Sequence, residues 1–236
     1  VKGVKIDFFN SDKQPVIKLY LDILKDAAEN HLMVNFHGCT LPRGWERSYP
    51  NLISMEAVRG AENYIFDKSY PSRAVWHNTI YPFTRNVVGP MDYTPVTLSN
   101  QTYPHLTSNA YELALSIVYQ SGILHFADRA DSYLNLDNDT QLLLKNLPTV
   151  WDDTKFIAGE PGRYVVVARK KEGKWYVAGI NGQNFPLKIN LKKSSFNLSR
   201  LITDGTGNMK LDNKIIDKQN QNIEIEMIKY GGFIAY

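Results

Sequence analysis

Apolar positions follow two rhythms along this chain, and the change falls near Pro148. Before it, short apolar runs alternate with stretches of helical spacing, the pattern of βα units. Residues 1–9, Val-Lys-Gly-Val-Lys-Ile-Asp-Phe-Phe, read as a strand. Ser11 and Asp12 then stand at a helix start with Pro15 in its first turn, and Val16, Leu19, Tyr20, Ile23, Leu24 and Ala27 recur at helical spacing. Residues 32–36 and 52–55 predict a second and third strand, 79–83 a fourth and 122–127 a further one. Residues 109–119 predict an amphipathic helix capped near Thr107 or Ser108. Residues 132–147 predict a last helix, interrupted around 135–139.

After Pro148 the period drops to two. Residues 163–170, 175–180, 185–191, 222–228 and 232–236 read as strands. Lys171-Glu172-Gly173-Lys174 is a turn, and Asn181-Gly182 predicts a hairpin. The expected fold is α/β followed by all-β: the later βα units of a (β/α)8 TIM barrel over residues 1–147, then an antiparallel sheet or sandwich over 148–236. Four or five βα units do not close such a barrel. The sequence also begins inside a strand without an initiator Met, so the expectation is a piece of a longer protein, with the missing strands preceding Val1 and covering an otherwise open sheet edge.

Composition narrows the classes. The chain has 236 residues, 43% hydrophobic and 22% charged, enough apolar content for one large core or two smaller ones. A net charge of +3 without long basic runs gives no case for nucleic acid. The clusters Arg169-Lys170-Lys171 and Lys192-Lys193 read as solvated turns. No apolar run approaches the length of a membrane span. A single cysteine, Cys39, excludes an internal disulfide and reads as a buried, inert thiol.

The chemistry sits at strand ends. Asp7 ends the first strand, with Lys5 two residues earlier and expected on the same side, where its charge would keep Asp7 ionised. Glu56 and Glu62 follow the third strand. They suit a general acid, a hard-cation site, or both. His37 ends the second strand and has no second His or Cys at zinc spacing. The loop after it is dense in Arg43, Trp45, Glu46, Arg47 and Tyr49, the composition of a sugar-binding loop. Asp128 closes the segment 122–127 and suits either substrate binding or a helix cap. Neither a nucleophile-elbow serine motif nor a glycine-rich phosphate loop is present.

The joint pattern Val-Lys-Gly-Val-Lys-Ile-Asp-Phe-Phe, Asn-Phe-His-Gly, Pro-Arg-Gly-Trp-Glu-Arg-Ser-Tyr-Pro-Asn-Leu and Met-Glu-Ala-Val-Arg-Gly-Ala-Glu strongly resembles glycoside hydrolase family 97, bacterial α-glucosidases and α-galactosidases. The resemblance implies an N-terminal β-sandwich that precedes this chain, a central barrel and a C-terminal β domain. It implies Ca2+ close to the catalytic acid, with part of the site supplied by the N-terminal part of the polypeptide, and a periplasmic or secreted location. The inverting branch carries a Glu directly after the His that ends the second strand. Gly38 stands there in this chain, and Asp7 is present where that branch lacks an Asp. The resemblance therefore implies the retaining branch, whose substrates are terminal α-galactosides of oligosaccharides. By the same resemblance Asp7 is the nucleophile and Glu62 the general acid/base. Glu56 and Glu62 are Ca2+ ligands, and Lys5, His37, Arg43, Trp45 and Glu46 bind substrate. A retaining α-glucosidase and a non-catalytic carbohydrate-binding fragment are the alternatives.

Overall fold

The structure is a computed structural model describing residues 1–192, 195–207, 209–217 and 222–236. Lys193, half of one predicted basic pair, lies outside the described residues.

Three short parallel strands, β1 (Gly3–Ile6), β2 (Met33–Phe36) and β3 (Leu52–Met55), form a sheet in sequence order. Helix α1 (Gln14–Glu29) connects β1 to β2. Its N-cap is Lys13, whose amide donates to Ser11 Oγ, with Pro at the start as predicted. Its apolar face, Tyr20, Leu24 and Ala27, packs on Val34, Phe36, Leu52 and Met55. Next come α2 (Asn63–Phe66), α3 (Tyr70–Ile80), α4 (Asn109–Val118), α5 (Ala130–Leu134) and α6 (Asn138–Lys145). The predicted interruption in the last helix is the gap between α5 and α6, where Asp137 accepts from the amides of Asp139 and Thr140 and starts the second helix.

Two predicted strands are not strands. Residues 79–83 close α3 and enter a 3-10 turn, Tyr81–Phe83. Their aromatic content mimics strand propensity, but Pro71 opens a helix before them, and Tyr81 and Phe83 are spent on the core. Residues 122–127 run past β3 without a ladder. Side chains fix this segment instead: Ser121 to Ser54, His125 to Asp92 and Asp128 to Ser99.

The second half is antiparallel. A six-stranded sheet runs β4 (Asp153–Glu160), β5 (Tyr164–Lys171), β6 (Lys174–Asn181), β11 (Gly232–Ala235), β8 (Arg200–Asp204), β9 (Leu211–Ile215). A separate ribbon pairs β7 (Leu187–Lys192) with β10 (Asn222–Met227). Alternation along the central strands feeds two cores. Val165, Val167, Tyr176, Ala178, Ile202 and Ile234 face the fully buried helix α4. Val166, Ala168, Val177, Leu201 and Phe233 face the ribbon. Central strands are therefore apolar on both faces, whereas the ribbon alternates cleanly: Leu187, Ile189 and Leu191 inward against Ile223, Ile225 and Met227, with Lys188 opposite Glu226 outside. The residues on the α4 side form one core with Tyr64, Tyr70 and Tyr93 of the first half, so this core crosses the Pro148 boundary.

The two-residue hairpin turn is Glu172-Gly173, both at positive φ, as its flanks suggested. Asn181-Gly182 makes no hairpin. Asn181 Nδ2 donates to the carbonyls of Phe185 and Ile228, and a Cβ on Gly182 would stand 2.4 Å from the Val75 carbonyl. This pair closes the sheet against α3 instead of turning a strand. Arg169, expected in a solvated turn, is buried. Its guanidinium donates to the carbonyls of Ile117 and Val118 at the end of α4 and to Thr154 Oγ1. Strands β4, β8 and β9 were not legible, because β4 and β9 are largely exposed and lack an apolar face.

Candidate active site

Backbone hydrogen bonds continue past the ends of the parallel strands and set four chemical positions in a row. His37 N donates to Ile6 O, Glu56 N to Phe36 O, and Asp92 N to Met55 O. Asp7, His37, Glu56 and Asp92 thereby stand at the carboxyl ends of successive extended segments. The last segment is reduced to one parallel bridge, Met55 with Met91. Buried Arg85 replaces the missing ladder by donating to the carbonyls of Met55, Glu56, Gly89 and Pro90. Leaving these ends, the chain repeatedly enters the left-handed region, at Phe8, Gly38, Ala57 and Thr94. For the non-glycine residues such strain costs on the order of 1–3 kcal/mol each and gathers where side chains must be aimed.

Gly38 lies between two carboxylates. Its amide donates to Glu56 Oε2 at 2.8 Å, and a Cβ placed on it would stand 2.3 Å from Asp7 Oδ1. A side chain at 38 and the Asp7 carboxylate in this position exclude each other. Asp7 Oδ1 accepts from the Phe8 amide at 2.6 Å.

Lys5 does not pair with Asp7 as expected. β1 ends at Ile6 and the chain twists at Phe8, so the alternation stops; Lys5 Nζ lies 2.9 Å from Asp92 Oδ2. Asp92, missed in the sequence, is 1% exposed. Besides Lys5 it takes Asn35 Nδ2 at 2.8 Å, His37 Nδ1 at 3.0 Å and His125 Nδ1 at 3.1 Å. Burial opposes its charge, but these donors hold its carboxyl far below the usual range.

His37 Nε2 points the other way, 3.1 Å from Glu56 and 3.3 Å from Glu62. That is close enough for ion pairs, but it is not aligned for a hydrogen bond. Burial opposes protonation of His37; Asp92, Glu62 and Glu56 outweigh it and push its pKa up to about 9. Burial raises Glu56, whereas the contact with His37 lowers Glu62. Cys39, expected to be buried, is half-buried, and desolvation pushes its thiol up to about 11.

Oxygen and imidazole donors of His37, Glu56 and Glu62 all lie within 4.8 Å of one another. The two carboxylates suit Ca2+, which takes oxygen ligands. The imidazole does not belong in such a shell and instead neutralises the carboxylates beside it. The donor set therefore fits Ca2+ through Glu56 and Glu62 alone.

Of the loop residues, Arg43 lines an open cleft of about 700 Å³ together with Gly38, Glu56 and Arg59. Trp45 stacks near Tyr20 and joins the core over α1, and Glu46 faces Gly89. Neither is brought to the carboxylates. Asp128 takes the amides of Leu98, Ser99 and Arg129 and the hydroxyls of Ser99 and Ser132, tying a loop to the start of α5.

Comparisons with known proteins cover both halves of the chain. Residues 1–58 match the profile of glycoside hydrolase 97, and residues 150–236 match that of the glycosyl-hydrolase 97 C-terminal, oligomerisation domain. A protein of Streptomyces bingchenggensis named "Probable retaining alpha-galactosidase" is 36% identical over all of this chain and 36% of its own length. A retaining alpha-galactosidase of Bacteroides thetaiotaomicron is 34% identical over 76% of this chain and 28% of its own. The chain thus spans about a third of the length of these relatives. A crystal structure of a beta-arabinopyranosidase superposes over 100% of this chain and 39% of its own, with TM-score 0.89 and 35% identity. A family 97 enzyme from Pseudoalteromonas sp. strain K8, solved with acarbose, matches 95% of this chain and 37% of its own, with TM-score 0.78 and 24% identity; it shares the fold. Asp7 and Glu56 at strand ends, Glu62 close behind them, and these matches at both ends of the chain place it in a family of glycoside hydrolases. The chain belongs to glycoside hydrolase family 97.

Proposed function

We propose that residues 1–147 are the later part of a (β/α)8 catalytic barrel and residues 148–236 its C-terminal domain, in an enzyme that cleaves terminal α-galactosides with retention. The observation that carries this is the contact between Gly38 and Asp7. The place of a water-activating side chain at 38 is filled by the Asp7 carboxylate, beside Gly38 of the cleft wall. Asp7 attacks the anomeric carbon as the glycosidic C–O bond breaks, and Glu62 gives its proton to the departing oxygen. In the second step Glu62 takes a proton from water, the water oxygen bonds to the anomeric carbon, and the Asp7–sugar bond breaks. Contact with His37 favours the ionised form of Glu62 in the substrate-free site. A sugar that displaces water from Glu62 raises its pKa toward that of a proton donor. Glu56 and Glu62 are the ligands offered to Ca2+; when bound, the ion supplies fixed positive charge to carboxylates and sugar oxygens. Lys5, His37 and Arg43 are the residues offered to sugar hydroxyls.

A second reading is β-L-arabinopyranoside hydrolysis, favoured by the likeness to the beta-arabinopyranosidase. That sugar presents the ring hydroxyls of α-D-galactose without its hydroxymethyl group, so the same carboxylates serve both. Paired aryl glycosides separate the two by rate. The mechanism is tested in the full-length protein by proton NMR and by Asp7→Gly. The α-anomer of galactose should appear first, and Asp7→Gly should lower turnover by about 10⁴-fold or more while azide restores it as β-galactosyl azide. First appearance of the β-anomer, or unchanged hydrolysis by Asp7→Gly, rejects double displacement.

A further inference from the structure

We infer that Asp92 is a positioning residue for the sugar site and that His125, held by it, is a further sugar-binding residue. The inference rests on the glycosidase reading above.

Carboxylates that serve only the fold are satisfied largely by backbone amides and short hydroxyls, as half-buried Asp128 is. Asp92 is saturated differently. Its Oδ2 takes Lys5, Asn35 and His37 and its Oδ1 takes His125, all side-chain donors. They come from the ends of β1 and β2 and from the irregular segment that follows α4. Asn35 is buried and locks the carboxylate. The side chains of Lys5 and His125 are each about one third exposed, at 32% and 36%. Lys5 holds its ammonium and His125 its Nδ1 on Asp92, and both side chains stay partly open to solvent.

For His125 the consequence is specific. Nδ1 faces the carboxylate and donates to it, so the opposite nitrogen, Nε2, is the atom presented outward. Among the described residues it has no protein partner. His37 is held by the same carboxylate with its Nε2 toward Glu56 and Glu62. Asp92 therefore aims two imidazoles and one ammonium from a single buried point. Such fixed donors need no reorganisation when a polyhydroxylated ring arrives. Nothing in the ladder of β1–β3 requires a histidine at 125, since that segment makes no ladder.

The test uses the full-length protein and whichever aryl glycoside it hydrolyses, the α-galactoside or the β-L-arabinopyranoside. Analogues that each lack one ring hydroxyl are measured in parallel. His125→Ala should lose roughly ten- to a hundredfold in kcat/KM on the complete glycoside, and little on the one analogue lacking the hydroxyl that it binds. His125→Gln, which keeps a donor, should recover part of the loss. Asp92→Asn should raise KM on the complete glycoside and blunt the same discrimination. An equal loss on every analogue, or none on the complete glycoside, overturns the inference while leaving the glycosidase reading intact. If wild-type protein hydrolyses neither glycoside, both fall. Should Asp92→Asn fail to fold, the two His125 variants, at a half-exposed position outside any helix or strand, decide alone.

Discussion

Asp92 and Arg169 are both buried charges, one at the ends of the parallel strands and one in the antiparallel sheet, and they are satisfied in different ways. Arg169 gives its protons to two backbone carbonyls at the C-terminus of α4 and to one hydroxyl. Those partners cannot move without unwinding a helix whose ten residues are all buried. The charge also meets the negative end of the helix dipole. Asp92 instead collects four side chains, two of them reaching solvent. The surrounding backbone differs likewise. Beside Arg169, β5 and β6 keep register from Tyr164 to Lys171. Around Asp92 the ladder has shrunk to one bridge, and the chain takes left-handed turns after Asp7, His37 and Glu56. One region spends its polar groups on holding itself together. The other fixes polar groups on one buried carboxylate beside strained backbone and leaves them partly open to solvent.

The sharpest way to break this contrast is at Gly38. Gly38→Ala puts a methyl group 2.3 Å from Asp7 Oδ1 at a φ of +50°. The carboxylate must move, and displacement of a reacting group by about 1 Å costs on the order of 10²-fold in rate. Full-length Gly38→Ala should lose about that much in kcat/KM while keeping its circular dichroism. Wild-type activity in this variant would mean that Asp7 is not confined by Gly38, and the retaining argument would lose its physical support.

Residues at the site were legible where an apolar run stopped abruptly. Asp7, His37 and Glu56 could be found because Val4-Lys5-Ile6, Val34-Asn35-Phe36 and Leu52-Ile53-Ser54-Met55 precede them. Asp92 had no such herald: Gly89-Pro90-Met91 offers one paired residue, and Arg85, four positions before that run, does the work of a ladder. The one signal was its likeness to Lys-Ile-Asp, an acidic residue after an apolar one at a segment end. Trp45 misled for the opposite reason. An aromatic in a loop looks available for sugar, yet this one fills the core over α1. In the second half, β5, β6 and β11 were readable because both cores demanded apolar side chains, and the edges β4 and β9, which bury little, were not; β8 feeds both cores but offers only Leu201 and Ile202 between polar neighbours. Arg169 was hidden by its neighbours Lys170 and Lys171, which made a buried residue look like part of a solvated run.

Next in size is Arg169→Met. The apolar chain fills much of the same space but leaves the Ile117 and Val118 carbonyls without their donors. Each buried group deprived of its partner costs about 1–3 kcal/mol, so a loss of roughly 2–6 kcal/mol is expected for the two carbonyls. Denaturant unfolding measures it, and KM for the aryl glycoside should not change. A loss below about 1 kcal/mol would show that α4 does not depend on this cap. A raised KM would show that the two regions are coupled.

The smallest effect belongs to Asp128, which lies in the first half but is built in the manner of the second. Burial alone would raise its pKa; the Ser99 hydroxyl, the Arg129 and Ser99 amides and the Ser132 hydroxyl together hold it below the ordinary value. A carboxylate with a lowered folded-state pKa binds fewer protons in the folded than in the unfolded chain between the two values. Its contribution to stability is therefore complete above the unfolded pKa, near 4, and is lost as pH falls through the folded one. Because the group is partly exposed, the contribution at neutral pH is screened to about 1 kcal/mol or less. Asp128→Asn should lower Tm slightly at pH 7, and its Tm should fall less steeply than wild type as pH drops below about 4. If the two Tm curves stay parallel from neutral to acid pH, the hydrogen bonds at Asp128 do not favour its charge, and the resemblance to the backbone-satisfied charges of the antiparallel region fails there.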